Sequence, residues 1–200
     1  QEVSELLEQK LQQMAAQGEL PDVITFAGNG EPSVHPQFAE IVDRTIALRI
    51  QYAPQARIAV LSNSTMLHKP VVFDALLKVD DPILKLDGGT AETIRAIDQP
   101  VKPFDLEETV ALLQRFGSKA IIQTLFVRGT HNGISFDNTT ANEVDAWMAH
   151  LQRICPSKVM VYTIARDTPA ADLTKIGKEE LEAIAQKVRT QTGLEVEVSW

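Results

Sequence analysis

Residues 24–36 read Ile-Thr-Phe-Ala-Gly-Asn-Gly-Glu-Pro-Ser-Val-His-Pro. The apolar start predicts a short strand, and the glycines and proline that follow predict a turn. Glycine has no Cβ, so the backbone at Gly28 and Gly30 can approach a ligand closely. Glu31 adds a carboxylate beside these backbone groups, which suits an ammonium group; a tight turn with Glu31 facing water is the alternative. The Lys-Ser/Thr of a phosphate loop is absent.

The same order, a short apolar run and then polar residues, recurs along the chain. The predicted strands cover residues 22–27, 57–62, 83–87, 120–127, 158–164 and 194–200. Each run is apolar almost throughout, which is typical of parallel strands covered on both faces. Helical periodicity fills the intervals, so the sequence predicts repeated βα units. A doubly wound sheet and a full or partial barrel both fit this pattern.

Proline, capping-box and glycine signals predict where helices begin and end. The predicted boundaries are Pro36 and Pro70 as first helical residues, capping boxes at Asp105 with Glu108 and at Thr140 with Glu143, and Gly193 as the last C-cap.

Composition narrows the class of protein. The formal net charge is −8, and the sequence has no basic stripe of the kind that nucleic-acid binders use. An RNA substrate that is bound through segments outside this sequence stays open. No apolar run reaches the roughly 20 residues of a membrane span, and no secretory signal opens the chain, so a cytoplasmic protein is expected.

Cysteine and histidine give little sign of metal or thiol chemistry. The one cysteine, Cys155, excludes a disulfide within the chain and is expected to be a half-buried structural residue. The four histidines lack metal-ligand spacing of the HExxH type. His68 and His150 are expected at the surface, and His131 in a long loop after the fourth strand.

Polar residues stand at the carboxyl ends of the predicted strands, where parallel β/α folds carry their active sites. Lys85 lies inside an otherwise apolar strand, where an unpaired charge is costly. An ion pair with a carboxylate and a ligand-binding role are both open for it. The other polar residues in such positions are Ser62, Asn63, Asp87, Gln123, Thr124, Tyr162 and Arg166.

Five segments, in chain order, resemble the radical S-adenosylmethionine (radical SAM) enzymes. Residues 24–36 resemble the second strand and the GGEP loop of that family, with Asn29 inserted between the glycines as in a subgroup of iron–sulfur oxidoreductases. Residues 60–64 resemble the third strand, and residues 84–90 resemble a KLDAGT strand. Residues 122–126 and 162–166 match later strands of that subgroup.

The resemblance implies an α/β fold, a partial (β/α)6 TIM-like barrel of parallel strands that lacks its first strand, as a single domain over residues 1–200. It also implies that the GGEP loop binds the amino group of S-adenosylmethionine. Ser62 and Asn63 would approach the ribose or the carboxylate of this ligand. Lys85 and Asp87 are the catalytic candidates that face the substrate. The implied cofactor-binding residues are Gly28, Asn29, Gly30, Glu31, Pro32, Ser62, Asn63, Gln123, Thr124 and Arg166.

The cofactors implied are S-adenosylmethionine and a [4Fe–4S] cluster. In the intact enzyme the cluster generates a 5′-deoxyadenosyl radical, which abstracts hydrogen from an unknown substrate: a small molecule, a protein or an RNA. The electron donor would be a flavodoxin or ferredoxin. The CxxxCxxC motif of the family is absent, so this chain holds no metal ligands. We expect a fragment without its first strand and cluster loop, inactive alone; a degenerate homologue is the alternative.

Two other functions fit the same residues. In the first, Lys85 of an aldolase-like barrel forms a Schiff base, with Asp87 or Tyr162 as the acid–base partner. In the second, the chain is a non-catalytic nucleotide-binding module.

Overall fold

The computed structural model of this protein describes residues 2–28, 30–131, 133–165 and 172–200. The chain divides into two compact units, Gln1–Ile83 and Leu84–Trp200. Two predicted site residues, Asn29 and Arg166, lie outside the described residues. The single domain over residues 1–200 stays a prediction.

The described part of the chain contains seven α-helices and nine strands. The helices are α1 Glu2–Gln17, α2 Phe38–Tyr52, α3 Pro70–Lys78, α4 Ala91–Asp98, α5 Leu106–Gln114, α6 Ala141–Ile154 and α7 Lys178–Thr192. The strands are β1 Val23–Phe26, β2 Arg57–Ser62, β3 Asp81–Lys85, β4 Ile121–Leu125, β5 Val127–His131, β6 Ile134–Asp137, β7 Lys158–Tyr162, β8 Leu173–Lys175 and β9 Glu195–Ser199. Short 3₁₀ helices cover Pro32–Val34 and Gly117–Lys119.

In the described part of the first unit, β1 and β2 form a parallel pair, and α1, α2 and α3 lie in the same unit. Strand β1 pairs with β2 in a register that sets Val23 against Arg57 and Phe26 against Val60. Leu11 of α1 and Leu48 of α2 are buried together, with Ile24 of β1 packed against them. Burial of these apolar faces, rather than helix propensity, stabilises the two helices.

The second unit contains the parallel pairs β4–β7 and β7–β9. Phe126 and Trp147 of α6 pack edge to face in its core, with ring centroids 5.2 Å apart. The strands of both pairs, like those of β1–β2 in the first unit, run parallel. The sequence prediction of an α/β fold built on parallel strands is therefore confirmed.

A second sheet was not predicted from the sequence. Strand β5 pairs antiparallel with both β6 and β8. The predicted fourth strand, 120–127, is therefore wrong at its end, because it stops at Leu125 and residue 127 begins β5. The strands of this small sheet are short, and β6 and β8 are rich in polar residues, so no apolar run marked them.

Several predicted boundaries are confirmed and others are corrected. Strand β2 has the predicted bounds, Pro70 begins α3, and Gly193 caps α7 with a positive φ of 72°. Pro36 does not begin α2, because Gln37 is its N-cap. Strand β3 ends at Lys85, so Asp87 lies in the loop after it. Among the described helices, none has the length and apolar character to cross a membrane.

Candidate functional site

The loop after β1 is organised around the carboxylate of Glu31. Glu31 is the N-cap of the 3₁₀ helix Pro32–Val34, and its Oε1 accepts a hydrogen bond of 3.0 Å from the backbone N–H of Ser33. The hydroxyl of Ser33 donates to the same oxygen. Pro32 occupies the first position of this helix, where its missing N–H costs nothing. The predicted turn is thus stabilised by its own acidic residue.

The end of β2 holds the same carboxylate from a second side. The hydroxyl of Ser62, 3% exposed, donates to Glu31 Oε1 at 2.9 Å, and the backbone N–H of Asn63 donates to Oε2 at 2.6 Å. The structure therefore brings together Glu31, Ser62 and Asn63, which the sequence analysis placed in one ligand site. A carboxylate oxygen has two lone pairs. Oε2 accepts one hydrogen bond in the described part of the chain, so it can accept another from a ligand.

Gly28 and Gly30 are exposed, and the packing of the described chain does not require glycine at either position. A Cβ built on each would meet no atom within 4 Å, and neither residue has a positive φ. Neither strain nor crowding by the described residues accounts for these two glycines. Close approach of a ligand to the backbone at these two positions stays a prediction from the sequence.

A second group of polar side chains, the Lys85 cluster, lies in the second unit and consists of Lys85, Asp87 and Asp98. Lys85 Nζ lies 2.5 Å from Oδ2 of Asp87, which is fully buried, and 3.8 Å from Oδ1 of Asp98 at the end of α4. Asp87 Oδ1 accepts a hydrogen bond of 2.7 Å from the backbone N–H of Leu125. Of the two interpretations of Lys85, the structure thus shows the ion pair.

Burial and charge shift the pKa values in this Lys85 cluster. Burial raises the pKa of Asp98 to about 8, and the negative charge of Asp87 acts in the same direction. Burial lowers the pKa of Lys85, but the charges of Asp87 and its neighbours outweigh this effect and raise it overall. The pKa of Tyr162 is raised, mainly by burial, although the charge of Lys85 opposes the shift. Lys85 is therefore an ammonium at neutral pH.

Two further candidates, Gln123 and Thr124, lie on β4. Thr124 is fully buried, and its hydroxyl donates to the carbonyl of Leu86 at 2.9 Å. The backbone carbonyl of Gln123 accepts from the N–H of Leu86 at 3.1 Å. The single hydroxyl donor of the Thr124 side chain is thus used to hold the segment after β3, in which Asp87 lies. The cofactor-binding role of both residues stays a prediction.

Sequence reasoning missed three residues of the second unit: Asp98, Glu143 and His150. Glu143 was expected to complete a capping box, and its backbone N–H does bond to Thr140 at 3.4 Å. Its carboxylate instead accepts from the N–H of Gly89 at 2.9 Å and the hydroxyl of Thr90 at 2.6 Å.

His150 was expected at the surface, which is wrong: it is 9% exposed. Its Nε2 lies 2.9 Å from the carbonyl oxygen of Gly89. Its position on the buried face of α6, three residues after Trp147, is the signal that was available.

Cys155 does not fit an iron–sulfur cluster. It is exposed rather than half-buried, ends α6 with a φ of 53°, and its thiol donates to the carbonyl of Gln152. Such clusters are held by several thiolates, and the sequence contains this one cysteine. The described residues contain no group of three histidine, cysteine or acidic side chains placed to hold a metal. The donors of this chain therefore do not fit the cluster.

Comparisons with solved structures show the fold. A domain of the pyruvate-formate lyase-activating enzyme from Bacteroides vulgatus gives a TM-score of 0.64 at 16% identity, over 88% of this chain and 98% of that one. Streptococcus suis SuiB, solved with its precursor peptide SuiA, gives 0.69 at 13% identity, over 98% of this chain and 42% of that one. This likeness confirms the predicted fold class, an α/β fold of parallel strands.

Sequence comparisons give distant relatives. The chain is 27% identical over 152 residues to a UPF0026 protein of Synechocystis and 24% identical over 164 residues to one of Helicobacter pylori. These matches cover 74% and 80% of this chain but 52% and 49% of the relatives. A protein named GTPase Obg, from Brachyspira hyodysenteriae, is 24% identical over 181 residues, 88% of this chain and 25% of its own length. No protein-family model matches the chain.

Proposed function

We propose that this chain is the core of a radical SAM enzyme and that it binds S-adenosylmethionine through the loop after β1. The observation that carries the proposal is the carboxylate of Glu31, held between this loop and the end of β2 by Ser33, Ser62 and Asn63. The likeness of fold to two radical SAM enzymes supports it independently.

The geometry of Glu31 suits an ammonium ligand. Its partners in the described chain are hydroxyl and backbone N–H groups, which orient the carboxylate without neutralising its charge. Gly28 and Gly30 leave space in which the methionyl part of the ligand can lie against the backbone. Charge-assisted hydrogen bonds of this kind are stronger than neutral ones. Asn63 and Ser62 would then lie near the carboxylate or ribose of the ligand.

The chemistry of the family also needs a [4Fe–4S] cluster, which supplies the electron that cleaves S-adenosylmethionine. The donors of this chain do not fit that cluster, so we assign no step to it. The iron–sulfur oxidoreductase subgroup, an activase type of reaction, a flavodoxin or ferredoxin donor and a cytoplasmic location are parts of the proposal. The name GTPase Obg brings no GTPase function to this chain, which matches a quarter of that protein and lacks a phosphate-loop motif.

Calorimetric titration with three nucleosides tests the site. S-adenosylmethionine and S-adenosylhomocysteine carry the methionyl ammonium, and 5′-methylthioadenosine lacks it. We expect Glu31→Gln to weaken the first two by roughly 10- to 100-fold, the value of one charge-assisted hydrogen bond. Binding of 5′-methylthioadenosine should not change. Glu19→Gln, an exposed carboxylate elsewhere in the first unit, is the matched control.

Equal binding of S-adenosylmethionine by the wild type and Glu31→Gln would refute the assignment, as would the absence of binding by the wild type. Circular dichroism should show that both variants are folded. This control is needed because Glu31 also fixes the loop.

The Schiff-base alternative finds no support in the geometry around Lys85. A nucleophilic lysine needs a lowered pKa so that a free amine is present. Asp87 and Asp98 have the opposite effect and hold Lys85 as an ammonium. We therefore do not propose aldolase chemistry.

A further inference from the structure

The side chain of Asn63, which follows β2, is fixed in one orientation by Thr65. Asn63 Oδ1 accepts a hydrogen bond of 3.1 Å from the backbone N–H of Thr65 and one of 2.6 Å from the Thr65 hydroxyl. A backbone N–H can only donate, so the atom that faces it is the amide oxygen and not the amide nitrogen. Both lone pairs of Oδ1 are thereby used. The Nδ2 group, which makes no hydrogen bond within the described part of the chain, is what the exposed Asn63 side chain can offer a ligand.

The hydroxyl of the neighbouring residue, Ser62, is already used within the protein. It donates its single proton to Glu31 Oε1 at 2.9 Å and accepts a hydrogen bond of 3.2 Å from the backbone N–H of Ser64. Ser62 is also buried. Ser62 therefore acts by holding Glu31, whereas Asn63 has donors left for a ligand.

Asn63 also lies beside the carboxylate to which the proposed ligand binds its ammonium group. The backbone N–H of Asn63 donates to Glu31 Oε2 at 2.6 Å. A carboxylate that only accepts and an NH₂ group that only donates thus lie on two residues in direct contact. In a free α-amino acid the ammonium and the carboxylate are bonded to the same carbon atom, so a ligand whose ammonium contacts Glu31 carries its carboxylate close by. The ribose of an adenosylated amino acid is farther from the ammonium, because the side chain and the sulfur lie between them.

We propose that the Nδ2 group of Asn63 binds the α-carboxylate of the ligand and that Thr65 is the residue that positions this group. The inference rests on the proposed function and deepens it, because the site then selects the whole α-amino-acid group of the ligand and not its ammonium alone. A hydrogen bond from an amide to a carboxylate is charge-assisted, and its loss should weaken binding roughly 10- to 100-fold. Thr65 acts through Asn63, without a contact of its own to the ligand.

Decarboxylated S-adenosylmethionine tests the role of Asn63, because it keeps the ammonium and sulfonium groups and lacks the carboxylate. In calorimetric titrations the wild type should bind it roughly 10- to 100-fold more weakly than S-adenosylmethionine. Asn63→Asp keeps the size of the side chain and the acceptor for Thr65, but it replaces the donor by a negative oxygen. This variant should bind S-adenosylmethionine at least about tenfold more weakly than the wild type does, and the decarboxylated compound at least as tightly. Gln55→Glu makes the same amide-to-carboxylate change at an exposed residue that precedes β2, and it should change neither affinity.

A second pair of variants tests the positioning role of Thr65. Thr65→Val removes the hydroxyl that donates to Asn63 Oδ1 and leaves the backbone N–H in place. It should weaken S-adenosylmethionine roughly 2- to 10-fold, the value of one neutral hydrogen bond, and leave the decarboxylated compound unchanged. Thr65→Ser keeps the hydroxyl and should restore the wild-type affinity. A purely structural role for Thr65 would change the binding of both compounds alike, which would overturn this part of the inference.

The outcomes separate this inference from the proposed function. Equal affinities of the wild type for the two compounds would refute the role of Asn63, as would an Asn63→Asp variant that weakens both compounds alike or neither of them. The binding data for Glu31→Gln decide the proposed function by themselves, so the ammonium site at Glu31 can be confirmed while the Asn63 assignment fails. A wild type that does not bind S-adenosylmethionine would overturn both.

Discussion

Replacing Gly89 by alanine should destabilise the second unit severely, because helix α6 lies directly against this residue. A Cβ built on Gly89 would lie 2.3 Å from the carbonyl oxygen of Glu143, 2.6 Å from the nitrogen of Trp147 and 2.7 Å from the Cβ of Ala146. The two shortest contacts are with backbone atoms inside a helix, which cannot rotate away. The loop or the helix must therefore move.

The expected decrease in the free energy of unfolding has two sources, overpacking and weakened hydrogen bonds. Overpacking of a close-packed interior costs about 1–3 kcal/mol. Separating the loop from α6 also weakens the hydrogen bonds from the Gly89 N–H to Glu143, at 2.9 Å, and between the Gly89 carbonyl and His150, also at 2.9 Å. A hydrogen bond to a charged group contributes about 1.5–3 kcal/mol. We expect Gly89→Ala to lower the free energy of unfolding by about 3 kcal/mol.

Urea denaturation followed by circular dichroism measures this loss, with Gly28→Ala as the matched control. A Cβ at Gly28 would meet no atom within 4 Å, so that variant should unfold within about 0.5 kcal/mol of the wild type or be slightly more stable. Equal midpoints for Gly89→Ala and the wild type would show that α6 does not pack on this loop as described.

Three further predictions concern the pKa of Asp98, the [4Fe–4S] cluster and the buried residue Leu76. Folding raises the pKa of Asp98 from 3.8 to about 8, so between these pH values the folded state binds one more proton than the unfolded state. The free energy of unfolding of the wild type should therefore fall as pH rises through this window, by at most about 1.4 kcal/mol per pH unit. Urea denaturation of Asp98→Asn over the same pH range should not show this fall. Anaerobic reconstitution of this chain with iron and sulfide should yield no stoichiometric [4Fe–4S] cluster, because one cysteine cannot supply the ligands; a brown protein with four irons per chain would contradict this. Leu76→Ala should cost about 2–5 kcal/mol of unfolding free energy, because Leu76 is fully buried in the first unit; a loss below about 1 kcal/mol would contradict that burial.

Features that depend on neighbouring residues were predictable from the sequence. Strand β2, the start of α3 at Pro70, the N-cap Asp105 and the C-cap Gly193 all lie where the sequence places them. In each case the signal and the structure are separated by a few residues, because caps and turns satisfy backbone groups locally.

Features that depend on distant residues were not predictable in the same way. Glu143 has the spacing of a capping box, but its carboxylate bonds to Gly89 and Thr90, more than 50 positions earlier. Asp98 lies at the end of a helix that the sequence analysis did not assign, and its partner Lys85 is on the strand before it. Each of these pairings is set by how helices pack on loops, and no local pattern encodes it.

Asp87 and Glu31 both follow the end of a strand, but different groups contact their carboxylates. These contacts decide how strongly each carboxylate can attract a cationic ligand. Asp87 is paired with an ammonium at 2.5 Å inside the protein, so its charge is already neutralised. Glu31, as far as the structure describes its surroundings, is held by hydroxyl and backbone N–H groups, which orient a carboxylate and leave its charge intact. A cationic ligand gains most from a fixed charge that nothing else has neutralised. For that reason we expect a cationic ligand to bind at Glu31 rather than beside Asp87.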